Sequence, residues 1–176
     1  MENRELLQTP SQTVGPYFAY GLVPEQYLYD FKSLVSNQLI DPTDTECIIV
    51  QGTVYDGAGQ IIPDALIEIW DASHNAFGRF GTGTDPQNRF IFYCHKPLSL
   101  DGSAPYLTVI VLMRGQLIHS NTRIYFSDEA ELNQLDETLN SVPVERRSTL
   151  IAQKESNSYI FDIHMQGEKE TVFFDV

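Results

Sequence analysis

The sequence feature that most constrains the fold is the stretch at residues 105–126, which reads PYLTVIVLMRGQLIHSNTRIYF. Its first half is an unbroken apolar run rich in β-branched residues, which is typical of a strand buried on both faces. Arg114 and Gly115 interrupt this run, and polar residues then alternate loosely with apolar ones from Leu117 onward. The simplest interpretation is a long hairpin whose turn carries Arg114 at the mouth of the core. Because most arginines are exposed, residue type alone favours a solvated turn residue at Arg114.

The remaining pattern also favours β-structure. Residues 71–83 contain three glycines and are predicted to be a loop. A brief acidic helix is predicted to begin at Ser127, whose side chain would cap it. The other predicted strands are short apolar segments bounded by turn residues. They are residues 47–56, 65–70, 89–94, 148–154, 159–166 and 170–176. These elements predict an all-β protein with a β-sandwich core and one or two short helices.

The N-terminal part follows a different pattern. Residues 7–20 combine Thr-Pro and Gly-Pro steps with polar residues, which favour extended backbone and turns over helix. Residues 23–39 have scattered apolar positions that fit a short helix or a loop. At 176 residues the chain suits a single domain. We expect an arm and connector over residues 1–46 and the sandwich over residues 47–176.

The net charge, the length of the apolar runs and the cysteines limit the kinds of ligand, partner and cellular location that fit this chain. A net charge of −13 disfavours binding to nucleic acid or to an anionic membrane. A small anionic ligand would need a local cation to oppose that field, and Arg114 is a candidate. The longest apolar run is too short to cross a bilayer, and residues 1–9 lack the character of a signal peptide. Cys47 and Cys94 lie in strand-like segments and are predicted to be buried free thiols, which favours the cytoplasm.

Residue types alone do not reveal a catalytic centre. The histidines are not spaced so as to present two imidazoles on one face of an element, which disfavours a zinc or iron site built from them. They are His74, His95, His119 and His164. No serine or cysteine stands in a recognisable nucleophile motif. By this criterion the sequence indicates a scaffold more clearly than a catalyst.

Several longer segments resemble one protein family. They read TPSQTVGPY at residues 9–17, VYDGAGQIIPDALIEIW at 54–70, TRIYFSDEAE at 122–131, RRSTLIA at 146–152 and FDIHMQGEKETVFFD at 161–175. Together they are similar to the alpha subunits of intradiol ring-cleavage dioxygenases. The resemblance implies a β-sandwich that pairs with a homologous beta subunit holding Fe(III). The implied reaction cleaves protocatechuate, or a related catechol carboxylate, with dioxygen to 3-carboxy-cis,cis-muconate.

The same resemblance implies that this chain does not hold the iron. In the family the metal is bound by two tyrosines and two histidines, and the histidines form a His-x-His motif just after a proline. The matching positions after Pro105 hold Tyr106 and Thr108. The region after Trp70 is too short to supply the first tyrosine, and residues 96–99 lack the second. We therefore expect no metal ligand and no catalytic residue in this chain alone.

What the resemblance does carry over is a share of the substrate pocket. The matching residues are Thr13, Gly15, Pro16 and Tyr17 in the arm and Arg114 at the strand end. A guanidinium can bind a substrate carboxylate through paired hydrogen bonds, while the arm closes against the ring. Because the region after Trp70 is short, the resemblance does not determine the residues at the rim of this pocket or the preferred catechol.

Two alternatives remain at this point. The segments VYD at residues 54–56, PDA at 63–65 and EIW at 68–70 also occur in transthyretin-like domains, which suggests a non-catalytic binding or scaffold module. A second alternative is a degenerate homologue that assembles with itself. The Gly-Pro-Tyr arm and the QGEKETVFFD ending favour the dioxygenase interpretation over both.

Overall fold

The computed structural model describes residues 18–175. In this range the strands are β1 (Ile48–Tyr55), β2 (Leu66–Asp71), β3 (Ala76–Gly81), β4 (Arg89–Cys94), β5 (Tyr106–Leu112), β6 (Ser120–Phe126), β7 (Ile151–Glu155), β8 (Ser158–Ile160) and β9 (Ile163–His164). Two short α-helices follow β6, namely α1 (Ala130–Asn133) and α2 (Glu137–Ser141). Three 3₁₀ helices lie at Pro24–Tyr27, Thr82–Thr84 and Val144–Leu150.

The strands follow one hydrogen-bonded order, β3-β2-β5-β6-β7-β8-β1-β4, with β9 paired to β1. Both halves of this order contribute to one buried cluster, because β2, β5 and β6 pack against β1 and β4. Phe90 and Phe92 from β4 and Phe126 from β6 are among its largest fully buried side chains. The sheet thus folds over on itself around a shared apolar core, which confirms the predicted all-β sandwich.

The hairpin predicted around Arg114 is present as antiparallel β5 and β6. Burial alternates along β5: Leu107, Val109 and Val111 are fully buried, whereas the residues between them are partly exposed. The prediction that β5 is buried on both faces is therefore wrong, because no second layer within residues 18–175 covers its outer face completely. β6 also begins at Ser120 rather than at Leu117, which lies exposed in the turn.

The loop predicted over residues 71–83 is wrong at its centre, since Ala76–Gly81 form strand β3 paired with β2. The glycines in this segment were interpreted as loop residues, but Gly78 lies within the strand. At Gly78 a Cβ atom would lie 2.4 Å from Cδ1 of Leu39 and 3.2 Å from a ring carbon of Phe92. Gly78 therefore permits close packing against the strand rather than a turn in the backbone.

Two smaller predictions also fail. α1 begins at Ala130, and Ser127 does not cap it; its hydroxyl instead accepts a hydrogen bond from the backbone N–H of Lys154. The segment before residue 176 forms a single bridge, between Phe174 and Asn121, rather than a full strand. The strand at residues 89–94 is as predicted. β7 and β8 form the predicted hairpin, but it is shorter than residues 148–166, because residues 144–150 form a 3₁₀ helix and Ile163–His164 pair with β1.

Cys47 and Cys94 are both buried and free, as predicted. Burial raises the pKa of the Cys94 thiol, so this group stays protonated and packs as a small apolar side chain. Of the helices in residues 18–175, none combines the length and apolar character that crossing a bilayer requires.

Candidate functional site

Arg114 lies in the turn that follows β5, and the sheet register places an acidic residue opposite it. Leu66 of β2 pairs with Leu112 of β5 in an antiparallel register. Continuing that register two residues beyond the last pair brings Asp64 opposite Arg114. The two side chains form an ion pair, with 3.1 Å between Arg114 Nε and Asp64 Oδ2. Cross-strand pairing therefore positions this cation, although neither residue is part of a strand.

The Arg114 side chain is 61% exposed, and Asp64 is its ion-pair partner within residues 18–175. Over the same range no guanidinium nitrogen of Arg114 makes a hydrogen bond, so its contact with Asp64 is an ion pair, and its two terminal nitrogens are unoccupied. Those nitrogens are the donors that bind a carboxylate in a paired arrangement. The geometry is thus that of a tethered arginine with free donors, rather than a guanidinium fully used by the fold.

The first described segment of the chain packs beside this pair. Ala19 and Val23 form a buried cluster with Leu66, and Leu112 packs against it. Tyr27 extends the same surface. Its pKa is raised mainly by burial and further by the negative charge of nearby Asp64, while Arg114 acts in the opposite direction. The segment that continues from the arm therefore contacts β2 and β5 at the ends next to Asp64 and Arg114.

The four predicted arm residues lie outside the described part of the chain. They are Thr13, Gly15, Pro16 and Tyr17. Their assignment to the substrate pocket remains a prediction. For Arg114, the structure shows an accessible cation, and its role in substrate binding also remains a prediction.

A cavity of about 700 Å³ opens beside the same turn, lined in part by Met113, Gly115 and His119. Arg114 is not in that lining, and its ion pair with Asp64 places it near Tyr27 instead. Small-molecule sites usually enclose most of their ligand. At Arg114 the described residues provide an open surface, so a second surface is needed to enclose a bound molecule there.

At the two positions that the resemblance assigns to iron-binding histidines, the side chains lie beside an arginine. Tyr106 and Thr108 lie on β5, and in the register with β6 Thr108 pairs with Arg123. The guanidinium carbon of Arg123 lies 4.1 Å from the centroid of the Tyr106 ring. A fixed cation stacked on this ring opposes binding of a ferric ion at the same place. These residues do not fit the metal.

Arg123 is further held by a polar chain. Its Nη1 donates to the Tyr125 hydroxyl at 3.2 Å, and that hydroxyl donates to Asp136 Oδ1 at 3.0 Å. Asp136 also accepts hydrogen bonds from the backbone N–H groups of Ala104 and Leu139. Burial is the main cause of the raised pKa of Tyr125, so its hydroxyl remains a proton donor.

Lys96 stands in the segment that lacks the second iron-binding tyrosine. It forms ion pairs with Asp128, at 3.0 Å, and with Glu129. Burial raises the pKa of Asp128, but hydrogen bonds from Lys154, Lys96 and Tyr159 outweigh it and hold that pKa at about 2. Lys96 is therefore committed to a local ion-pair network that joins the end of β4 to the start of α1.

The fold brings two histidines together that sequence spacing did not connect. The rings of His74 and His95 lie 4.7 Å apart, and His74 Nδ1 is 2.7 Å from Oδ2 of buried Asp71. Separately, ligand atoms of Asp44, Glu46 and His95 lie within 4.8 Å of one another, the one such group among residues 18–175. Both carboxylates are exposed, and this group lacks the two tyrosines of a family iron site.

Comparison with known proteins identifies the family. The chain is 45% identical over 194 residues to a protocatechuate 3,4-dioxygenase alpha chain of Burkholderia cepacia, covering 97% of this chain and 98% of that one. It is 36% identical over 198 residues to the alpha chain of Pseudomonas putida, with the same coverage. The chain belongs to the protocatechuate 3,4-dioxygenase alpha chains. Both alignments are longer than this chain, so these alpha chains contain segments that it lacks. No family model matches it.

Solved structures support the fold of this alpha chain. An intradiol ring-cleavage dioxygenase from Tetranychus urticae matches with a TM-score of 0.59 at 12% identity, covering 77% of this chain and 88% of that one. The dioxygenase domain of a Streptomyces carbohydrate-binding fusion protein matches at 0.56 and 15%, covering 76% and 88%. Catechol 1,2-dioxygenase from Acinetobacter matches at 0.54 and 15%, covering 72% and 55%. At these identities the likeness shows the fold alone; the identity to the alpha chains is what favours the dioxygenase interpretation over a transthyretin-like module.

Proposed function

We propose that this chain is the alpha subunit of a protocatechuate 3,4-dioxygenase and supplies part of the substrate pocket to a homologous beta subunit. Arg114 binds the carboxylate of protocatechuate or a related catechol, while Thr13, Gly15, Pro16 and Tyr17 close against the ring. The observation that carries this proposal is the accessible guanidinium of Arg114, which is ion-paired to Asp64 at Nε and makes no hydrogen bond through its terminal nitrogens within residues 18–175. The open surface around Arg114 fits a site that a second chain completes.

The residues of this chain bind and orient the substrate. The chain carries a net charge of −13, so an anionic substrate is repelled over most of its surface, and a local cation must offset that repulsion. Paired hydrogen bonds from Arg114 to the carboxylate also fix the direction of the ring. In this proposal Fe(III) is held by the beta subunit and supplies the reaction with dioxygen, which inserts both oxygen atoms between the two hydroxylated carbons.

The proposal extends to the organisation and location of the chain. Residues 1–176 act as a single domain within a hetero-oligomer, in which residues 1–46 form the arm and connector. The cytoplasm fits two buried cysteines that remain free thiols, because reducing conditions keep such groups unpaired.

The test is expression of the chain alone and together with a homologous beta subunit from its native host. Alone, the chain is expected to be colourless, free of stoichiometric iron and inactive on protocatechuate. Co-expression is expected to give a coloured complex that produces 3-carboxy-cis,cis-muconate. Iron with a visible tyrosinate-to-iron band and turnover in the isolated chain contradicts the proposal. An iron-loaded complex that cleaves no catechol favours the scaffold alternative.

A further inference from the structure

We propose that Asp64 is a positioning residue, which holds Arg114 so that the two terminal nitrogens of its guanidinium face the substrate carboxylate. This inference rests on the proposed function and adds a residue to it. Asp64 lies in the turn before β2, where sequence analysis indicates no chemical role. Its place in the site follows from the sheet register.

The tether is built into the fold by the pairing of two strands. β2 and β5 are neighbours over five residue pairs, ending at Leu66 with Leu112. Because Asp64 and Arg114 each lie two residues beyond that pair, their backbones are held opposite one another. The ion pair is therefore not a chance contact between two mobile side chains, and orienting it costs less conformational entropy than orienting a free surface pair.

The two carboxylate oxygens of Asp64 have different surroundings. Oδ2 lies 3.1 Å from Arg114 Nε, whereas Oδ1 is buried and has no hydrogen-bond partner within residues 18–175. A charged oxygen without solvent or a donor is unfavourable, so the carboxylate depends on the cation beside it. This dependence keeps Arg114 close to Asp64.

Engagement at Nε decides which edge of the guanidinium stays free. Arginine offers five N–H donors in a rigid plane, and Nε contributes one of them. Because the Asp64 carboxylate lies beside Nε, the opposite edge, formed by the two terminal nitrogens, is left to receive a carboxylate end-on. The negative charge of Asp64 also offsets part of the positive charge of Arg114, which weakens the binding of a simple anion. A catechol carboxylate is affected less, because other residues also bind its ring.

The test is a double-mutant cycle in the alpha–beta complex, with protocatechuate and catechol as substrates. Asp64→Ala is expected to raise the KM for protocatechuate about fivefold to thirtyfold, with kcat changed less than about twofold, because it loosens a binding contact. Catechol lacks the carboxylate and is expected to be unaffected. In an Arg114→Ala background, Asp64→Ala is expected to have no further effect on either substrate.

Two other variants serve as controls. Asp64→Asn is nearly isosteric and keeps an oxygen dipole beside Nε although it removes the charge, so its loss is expected to be smaller than that of Asp64→Ala. It also covers the case in which the alanine variant fails to fold. Asp85→Asn is the matched control, since Asp85 Oδ2 likewise lies 3.1 Å from an arginine Nε, that of Arg89. Its kinetics on both substrates are expected to match the unmodified complex.

Each result bears on a separate claim. A lower KM for protocatechuate in Asp64→Ala overturns the positioning role and shows that Asp64 merely repels the substrate. An equal loss on catechol, or a further loss in the Arg114→Ala background, also overturns it. If Arg114→Ala weakens protocatechuate binding and neither Asp64 variant does, the positioning role fails and the proposed function stands. If Arg114→Ala reduces activity on protocatechuate and on catechol by the same factor, the proposed role of Arg114 fails. The role of Asp64 then fails with it.

Discussion

Arg114 and Arg123 belong to the same hairpin, and their surroundings are opposite. Arg114 lies in the turn, is largely exposed and, within residues 18–175, forms an ion pair with Asp64 at Nε. Arg123 lies on β6, stacks on Tyr106 with 4.1 Å from its guanidinium carbon to the ring centroid, and donates to Tyr125. One arginine keeps its terminal donors free, whereas the other is used by the fold.

In the proposed function, this hairpin binds substrate at its turn, whereas the residues at the histidine-matching positions of its strand β5 do not fit a metal. A stacked, hydrogen-bonded guanidinium has little freedom to turn toward a ligand, and it opposes a metal cation at Tyr106 and Thr108. A turn arginine tethered at one atom retains donors for an anion. The role of each arginine is thus set by its neighbours rather than by its residue type.

The largest effect is expected from Arg114→Ala in the complex with the beta subunit. Loss of one charge-assisted contact of about 1.5 to 4 kcal/mol corresponds to a decrease of about tenfold to a thousandfold in kcat/KM for protocatechuate. Steady-state kinetics with catechol as the second substrate provide the control, because catechol has no carboxylate to lose. Equal losses on both substrates would mean that Arg114 is structural and would remove the contrast with Arg123.

A smaller effect, on the free energy of unfolding rather than on substrate binding, is expected when the hydrogen bonds around Arg123 are disrupted. Tyr125→Phe deletes the buried hydroxyl that joins Arg123 to Asp136. Leaving those groups without that partner costs about 1 to 3 kcal/mol of unfolding free energy, measurable by urea denaturation. Tyr29→Phe removes a hydroxyl from a ring that is 45% exposed and is expected to change stability little. A stable Tyr125→Phe complex with impaired protocatechuate binding would contradict this division of roles.

A third cation, Lys96, is committed to the fold in the same way as Arg123, and acid tests that commitment. The pKa of Asp128 is lowered from 3.8 to about 2 in the folded chain. A lowered pKa stabilises the fold above about pH 4, and this contribution is lost as pH falls toward 2. Asp128→Asn is expected to remove it, a loss of about 1 kcal/mol or less because the pair is partly solvated. Unfolding curves of the unmodified protein and of Asp128→Asn should differ most at pH 6, and the difference should narrow at pH 2.5.

The smallest effect on the reaction is expected from adding the missing histidines. Tyr106→His with Thr108→His places two imidazoles at i and i+2 on one face of β5. Arg123 remains on that face, and no phenolate oxygen is added, so no ferric colour and no ring cleavage are expected without the beta subunit. Weak binding of zinc or copper is expected and can be measured by calorimetry. Dioxygenase turnover by this variant alone would show that its two histidine positions were the only deficiency.

The sequence by itself determined the features that depend on local pattern. The apolar run before Arg114, the strand at residues 89–94 and the hairpin of β7 and β8 were predictable because alternation and turn residues act over a few neighbours. Burial of Cys47 and Cys94 followed from the apolar segments around them. The quoted motifs were also enough to reveal the resemblance to intradiol dioxygenases, which the similarity to known alpha chains bears out.

The tertiary structure alone decided which distant residues meet. Asp64 faces Arg114 because β2 pairs with β5 across a long stretch of intervening chain, and Arg123 stacks on Tyr106 because β6 aligns with β5 in one register. Strand β3 was missed because Gly78 serves packing against Leu39, a contact that local sequence does not specify. Contacts of this kind depend on strand order and register, which minimise the free energy of the whole core rather than of any segment.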